Sequence, residues 1–268
     1  MSERELREGK AVFDPGFDIR IRTEDLAFEY GSGVFGPAPE KRRLDDIRGS
    51  LSNPRADGPP VVYAVAMDIG KEKDRDDLLR RNLLYGAMIF AKGQIGEEPV
   101  RSQGHVHAVS RSCGTSTPEV YEIWLGDAIV YMQEYDGDEP GRCIAVKASE
   151  GDVVIVPPGW AHCTINANAD REMAFGAWCV RDYGFDYTGV RAHGGLAYFP
   201  IVKDGRLDWI KNPNYGPSSL EIREARSYPE FGLAKGVPVY TQYERDRSRF
   251  EFVCNPKVAD AIWANFTP

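Results

Sequence analysis

From residue 61 onward, short runs of β-branched, aromatic and other apolar residues recur at close intervals along the chain. Glycine, proline and aspartate separate the runs, and these are residues that end strands and form turns. The runs occupy residues 61–66, 83–90, 121–125, 128–135, 143–148, 153–156, 173–180 and 197–202. Many short strands at regular spacing, with turn signals between them, predict an all-β sandwich or barrel.

The residues on either side of these strands have a different character. Residues 1–60 are rich in turns and are predicted to form an N-terminal extension that packs on the barrel, with a short, solvated helix near 41–47. Residues 216–268 are predicted to be a C-terminal extension rich in aromatic side chains, with a short helix at 257–266. We therefore predict that the barrel spans 61–215. The aromatic side chains of the C-terminal extension pack either on this barrel, across a dimer or over the mouth of a pocket.

Composition excludes several classes of function for the 268-residue chain. The formal net charge of −8 and the sequence pI of about 5.2 argue against nucleic acid as a partner. No apolar run approaches the roughly 20 residues of a membrane span, and the first ten residues lack an apolar signal core. The five cysteines include no C-x-x-C pair and are expected to be free thiols, so a cytoplasmic protein is expected.

Three of the four histidines lie in motifs typical of a metal site. His105 and His107 are two residues apart, so on a strand both imidazoles point to the same side. Glu119 has the same relation to Tyr121, and His162 follows a Pro-Pro-Gly bend that turns the chain inward. A lone His-x-His is weak evidence, but the combination predicts one divalent transition metal per chain: Fe²⁺, Mn²⁺, Zn²⁺, Ni²⁺ or Co²⁺. Four protein ligands leave positions open for water or substrate, as in a catalytic site.

The motifs together resemble the cupin superfamily and, more narrowly, the cupin-type glucose-6-phosphate isomerases of archaea and some bacteria. The resemblance spans about residues 20–215 and rests on SQGHVHA at 102–108, PEVY at 118–121, VPPGWAHCTIN at 156–166 and DY at 186–187. It implies a double-stranded β-helix, also called a jelly-roll barrel, with a metal, Fe²⁺ being favoured, on His105, His107, Glu119 and His162. Glu119 would be both ligand and candidate base, and Tyr121 would hydrogen-bond a sugar hydroxyl or simply form part of the barrel wall.

The resemblance also implies a phosphate site, but here the sequence departs from the family. Ser102, Gly104 and Tyr187 match phosphate-contacting positions, whereas Met88 stands where the family has a threonine, and Arg101 or Lys92 is a possible substitute. Three further departures are Cys179 in place of a tyrosine, Phe185 in place of a ring-opening histidine, and a longer loop around 111–116 at the predicted pocket mouth.

The function predicted from these features is an aldose–ketose isomerase that interconverts glucose 6-phosphate and fructose 6-phosphate. It would use a metal and move either a proton or a hydride between C1 and C2. The alternatives are an isomerase of another sugar or sugar phosphate, a three-His, one-Glu cupin oxygenase, and a non-enzymatic sugar-binding or storage cupin. The predicted partners are a small-molecule sugar phosphate and a second copy of the chain in a homodimer, since barrels of this type often cover strand edges by pairing.

Overall fold

A computed structural model describes residues 13–268, so the first twelve residues of the predicted N-terminal extension lie outside the described residues. The strands of the described part are β1 (Ile19–Arg22), β2 (Ala27–Tyr30), β3 (Val34–Phe35), β4 (Glu40–Arg43), β5 (Val61–Met67), β6 (Gly70–Lys71), β7 (Leu83–Phe90), β8 (Gln94–Ile95), β9 (Glu98–Pro99), β10 (Val106–His107), β11 (Glu119–Leu125), β12 (Asp127–Gln133), β13 (Cys143–Ser149), β14 (Val153–Val156), β15 (Ala161–Asn166), β16 (Met173–Val180), β17 (Phe185–Asp186), β18 (Tyr198–Lys203), β19 (Arg206–Lys211) and β20 (Leu220–Glu224).

The helices are short. The α-helices are α1 (Leu44–Ile47), α2 (Arg75–Arg80), α3 (Thr188–Ala192), α4 (Val239–Arg245), α5 (Glu251–Cys254) and α6 (Asp260–Trp263). Single 3₁₀ turns occur at Arg48–Ser50, Glu72–Asp74, Pro229–Phe231 and Pro256–Ala259. Within residues 13–268, no helix has the length and apolar character that a membrane crossing requires.

Two sheets form the body of the fold. The larger has six strands in the order β14-β11-β16-β7-β5-β4, and the smaller has four in the order β15-β12-β13-β20. From β11 to β16 the chain repeatedly passes from one sheet to the other, and every pairing in the two sheets is antiparallel except that of β13 with β20. This winding is the double-stranded β-helix of the cupin fold, which confirms the fold class predicted from the sequence.

Both faces of the smaller sheet are covered, as alternation along β12 shows. Ala128, Val130 and Met132 belong to the large core between the sheets, whereas Ile129 and Tyr131 belong to a second core under the β18–β19 hairpin. Strands that are buried on both faces lose the apolar–polar alternation of a half-exposed strand, so their sequences are continuously apolar. This explains why the sequence of β12 is a nearly continuous run of apolar residues.

The larger sheet is also covered on its outer face, in this case by the C-terminal extension. Trp178 on β16 contacts the rings of Tyr240, Tyr243 and Phe250 at centroid distances of 5.4, 4.9 and 5.3 Å. Two residues earlier, Gly176 lies so close to Trp124 that a Cβ there would be 2.1 Å from the indole. Of the three arrangements open from the sequence, the structure thus shows packing on the chain's own sheet.

The described residues also show where local prediction was wrong. Residues 41–43, expected in a helix, continue β4 and pair with β5, so the helix begins only at Leu44. The expected helix at 257–266 is a 3₁₀ turn followed by α6. The two sheets draw strands from outside 61–215 as well, namely β4 and β20. The three-part division of the chain stays a prediction.

Candidate active site

The three histidines of the predicted metal motif lie at the end of the two sheets where β10 and β15 come together. His105 and His162 form an antiparallel bridge, with N···O distances of 3.0 Å and 2.9 Å in the two directions. His107 ends β10 and pairs with Phe185 of β17. Gly104, just before the motif, has φ +91°, a conformation that favours glycine. This turn brings His105 beside His162, which is 57 residues further along the chain.

The geometry of the imidazoles fits a metal ion. One ring nitrogen from each of His105, His107 and His162 lies within 4.8 Å of the others. The Nδ1 atom of His107 is 2.8 Å from the carbonyl oxygen of Thr117, and that of His162 is 3.1 Å from the oxygen of Trp160. These carbonyls accept the proton held on Nδ1, so Nε2 is the ring nitrogen that faces Glu119 and that a metal ion would bind.

The Nε2 atoms of His105 and His162 are buried and have no hydrogen-bond partner among the described residues. A buried polar atom without a partner is costly, and a bound cation would satisfy both atoms at once.

The carboxylate of Glu119 lies beside His107 and His162 but is not among the three ligands whose atoms are all within 4.8 Å of one another. Its Oε2 atom lies 3.3 Å from His107 Nε2 and 3.7 Å from His162 Nε2. Burial alone would raise the pKa of Glu119, but the adjacent imidazoles of His107 and His162 together outweigh burial and hold that pKa well below its usual range. The carboxylate is therefore ionised at neutral pH, which is the form that binds a metal.

The histidines respond to the same surroundings in different ways. Burial and the neighbouring His162 and His107 lower the pKa of His105 well below its ordinary value. Burial also lowers the pKa of His162, and Glu119 offsets only part of this effect. Burial likewise acts to lower the pKa of His107, but the hydrogen bond with Glu119, the charge of Glu119 and the carbonyl of Thr117 together outweigh burial and raise it. A cation at this point would replace the proton that His107 and Glu119 share.

A cavity of about 250 Å³ opens next to these residues. Its walls follow the two-residue period of the strands, because side chains at i and i+2 share a face. The strand residues that line it are Glu40 and Arg42 of β4, Tyr63, Val65 and Met67 of β5, Met88 and Phe90 of β7, Glu119 and Tyr121 of β11, His162 and Thr164 of β15, and Phe185 of β17. Three of the four candidate ligands, His105, Glu119 and His162, therefore border a space large enough for a small molecule.

The residues proposed from the sequence to contact substrate also line this cavity: Tyr121, Ser102, Gly104 and Tyr187. Ser102 Oγ accepts a hydrogen bond from the backbone N–H of Thr164 at 3.0 Å. The guanidinium carbon of Arg191 lies over the ring of Tyr187, 4.7 Å from the ring centroid. Burial and then the charge of Glu119 raise the pKa of Tyr121 well above its usual value, so its hydroxyl remains a donor.

Met88, Cys179 and Phe185, three of the departures from the family pattern, lie at the same site, whereas residues 111–116 do not line the cavity. Phe185 faces His105 with ring centroids 4.5 Å apart, and Met88 forms part of the cavity wall. Arg101 and Lys92, the possible substitutes for phosphate binding, are engaged with other groups. Arg101 donates to Glu98 at 2.6 Å, and Lys92 pairs with Glu172 at 3.6 Å.

Sequence reasoning missed three charged or aromatic residues at this site. Glu40 and Arg42 form an ion pair at the cavity, but Arg42 belongs to the segment expected as a solvated helix and Glu40 directly precedes it. Tyr63 lies across from Arg42 on β5, and its alternation with Val65 was the sequence signal for this wall of the cavity. Cys179 was noted from the sequence only as a departure from the family; in the structure its Sγ donates to Glu119 Oε1 at 2.8 Å. Burial, with the charge of Glu119, raises the pKa of this thiol well above its ordinary value.

Comparison with known proteins agrees with this arrangement. A model of the family described as glucose-6-phosphate isomerase (GPI) matches residues 50–218, more than half of the chain. The chain belongs to the glucose-6-phosphate isomerase family. Among curated members, it is 29% identical to the glucose-6-phosphate isomerase of Pyrococcus furiosus over 194 residues, covering 70% of this chain and 94% of the relative.

Two further members of the glucose-6-phosphate isomerase family show the same range of similarity. The chain is 31% identical to the enzyme of Pyrococcus horikoshii over 196 residues, with 70% of this chain and 94% of the relative covered. It is also 31% identical to a putative glucose-6-phosphate isomerase of Rhizobium meliloti over 157 residues, 58% of this chain and 65% of that protein. Residues 50–218, the region matched by the family model, contain all the candidate metal ligands.

Proposed function

We propose that this protein is a metal-dependent aldose–ketose isomerase that interconverts glucose 6-phosphate and fructose 6-phosphate. Membership of the glucose-6-phosphate isomerase family supports the reaction. The observation that carries the metal dependence is the convergence of His105, His107 and His162. His105 and His162 line the cavity, and their buried Nε2 atoms have no hydrogen-bond partner among the described residues.

We assign the metal to these three imidazoles and to Glu119, with one divalent transition ion per chain. When bound, such an ion acts as a Lewis acid that polarises the sugar carbonyl and stabilises negative charge developing on the oxygens of C1 and C2. Glu119 is ionised and borders the cavity, so it can take a proton from C2 of the aldose and return it to C1 of the ketose.

The other side chains bind and orient the sugar. Tyr121 keeps its hydroxyl proton and donates a hydrogen bond to a sugar oxygen. Ser102 accepts the N–H of Thr164, which leaves its own proton free to point toward the phosphate. Gly104 leaves room for close approach of the backbone, and Tyr187 offers a second hydroxyl at the same end of the cavity.

The deciding experiment is a coupled assay of fructose 6-phosphate conversion on protein stripped of metal by a chelator. Fe²⁺, Mn²⁺, Zn²⁺, Ni²⁺ and Co²⁺ are then returned separately. We expect turnover with at least one ion and none in the chelated protein. Equal turnover with and without metal contradicts the proposal. Running the reaction in D₂O separates the two routes, because proton transfer through Glu119 allows exchange with solvent and a direct hydride shift does not.

A second candidate is an isomerase of another sugar or sugar phosphate. Met88 and Phe185 favour it, because both place apolar groups at the cavity where the family pattern has polar ones. A panel of aldoses and their 6-phosphates under the same metal conditions distinguishes the two candidates. The ratio of kcat/KM for glucose 6-phosphate to that for each other sugar is the measurement.

The homodimer stays a prediction. In the described chain, β14 and β4 are the outer strands of the larger sheet, so each has one edge that no strand of this chain pairs with. Light scattering at micromolar protein tests it: a mass near twice the 29.9 kDa of one chain is expected, and a monomer would contradict it.

A further inference from the structure

Cys179 has a buried thiol that contacts the carboxylate of Glu119 in the candidate site. Its side chain is 5% exposed, and its Sγ atom lies 2.8 Å from Glu119 Oε1. The contact follows from the register of two central strands. Val120 of β11 pairs with Trp178 of β16, so continuing the antiparallel ladder by one residue puts Glu119 opposite Cys179. Side chains of such a pair point to the same face.

The two oxygens of Glu119 therefore have separate partners. Oε1 accepts from Cys179, while Oε2 faces the Nε2 atoms of His107 and His162. The last side-chain torsion of a glutamate, χ3, has a broad and roughly two-fold distribution of values. Burial alone therefore does not fix the orientation of the carboxylate plane. A donor fixed to a neighbouring strand does decide it, because rotating the plane would break the hydrogen bond.

We propose that Cys179 is a positioning residue: its S–H group holds Glu119 Oε1 so that Oε2 points to the histidines and can reach the metal. The proposal rests on the assignment of Glu119 to the metal in the proposed function. Partners that orient metal ligands typically contribute 10–100-fold to metal affinity, and a buried thiol on a central strand is suited to such a role.

The test measures metal affinity, which needs neither substrate nor turnover. The dissociation constant for Co²⁺ is measured on metal-free protein by competition with a chromophoric chelator, and the visible spectrum of the Co²⁺ protein is recorded. For Cys179→Ala we expect roughly 10–100-fold weaker binding and an altered spectrum. Cys179→Ser keeps a hydrogen-bond donor at this point and is expected to recover affinity to within a few-fold of the parent.

Cys143→Ala is the matched control. Cys143 is as deeply buried, at 1% exposed, but lies on β13 in the second core, where its Sγ is 3.7 Å from the carbonyl of Gly141. It should leave metal affinity unchanged. Urea midpoints of all variants show whether each one folds.

Three results overturn the proposal: parental affinity and spectrum in Cys179→Ala, a serine variant as weak as the alanine variant, or an equal loss in Cys143→Ala. Absence of metal binding by the parent would overturn it too, together with the assigned ligand set. If the parent binds Co²⁺ but isomerises no sugar under any metal, the proposed function fails. The same affinities then still decide the role of Cys179.

Discussion

A buried carboxyl group, Glu122, sits beneath the C-terminal extension on the outer face of the larger sheet. It is 1% exposed; its Oε1 accepts the backbone N–H of Val239 at 2.8 Å, and its Oε2 accepts the indole N–H of Trp124 at 3.2 Å. Burial raises the pKa of Glu122 to about 8, because these two donors offset only part of the loss of hydration. We predict that Glu122→Gln removes a pH-dependent loss of stability.

The magnitude follows from proton linkage. The unfolded carboxyl group titrates at its ordinary value of 4.5, so between that pH and about 8 the native state holds a proton that the unfolded chain releases. Over this window the free energy of unfolding falls by about 1.36 kcal/mol per pH unit from this one group. Between about pH 5.5 and 7.5 the loss is roughly 2 × 1.36, or about 2.7 kcal/mol, and a glutamine, which does not titrate, does not show it.

The assay is equilibrium unfolding in urea with a chelator present, on parent and Glu122→Gln, at both pH values. Other titrating groups change stability equally in both proteins and cancel in the difference. The free energy of unfolding of the variant minus that of the parent should therefore rise by about 2.7 kcal/mol from the lower to the higher pH. Parallel pH profiles would refute the reasoning, since they would mean that Glu122 is already ionised beneath the C-terminal extension.

Three further substitutions test the site and its support. Glu119→Gln should lower kcat/KM by about 10²–10⁴-fold, since the amide cannot move a proton, and retained turnover would count against this assignment. Ser102→Ala should raise KM for the sugar phosphate about tenfold while kcat changes little; Ser102→Thr, which keeps the hydroxyl, is its control. Tyr240→Phe should lower the free energy of unfolding by about 1–3 kcal/mol in urea, because the hydroxyl donates to Asp74 at 3.2 Å and accepts from the N–H of Lys71 at 2.9 Å. An unchanged urea midpoint would show that water replaces both bonds.

Much of the fold and of the ligand set could be predicted because each depends on local rules. The strands at 153–156 and 173–180 have the bounds expected from their β-branched runs and flanking turns. The pair His105 and His107 shares a side because strand residues alternate, whatever the rest of the chain does. Residues 41–43 show the limit of such rules. Their charges suggested a solvated helix, but pairing with β5 made them an edge strand.

Contacts between distant strands could not be predicted in this way. Cys179 and Glu119 are 60 residues apart, and only the register of β16 against β11 brings them together. The same is true of Arg42, which reaches the cavity because β4 adds to the end of the larger sheet. The C-terminal aromatic side chains required burial on composition alone, yet only the structure shows them against Trp178.

The sequence by itself thus determined the β-rich class and the group of residues able to bind a metal. These depend on short-range periodicity and on a motif whose spacing is chemically specific. The winding of the barrel was implied by the resemblance to the cupin family. Tertiary structure alone decided which side chains surround the cavity and what orients Glu119. Both depend on pairing between strands far apart in the chain, and a one-residue shift of register would turn every side chain to the opposite face.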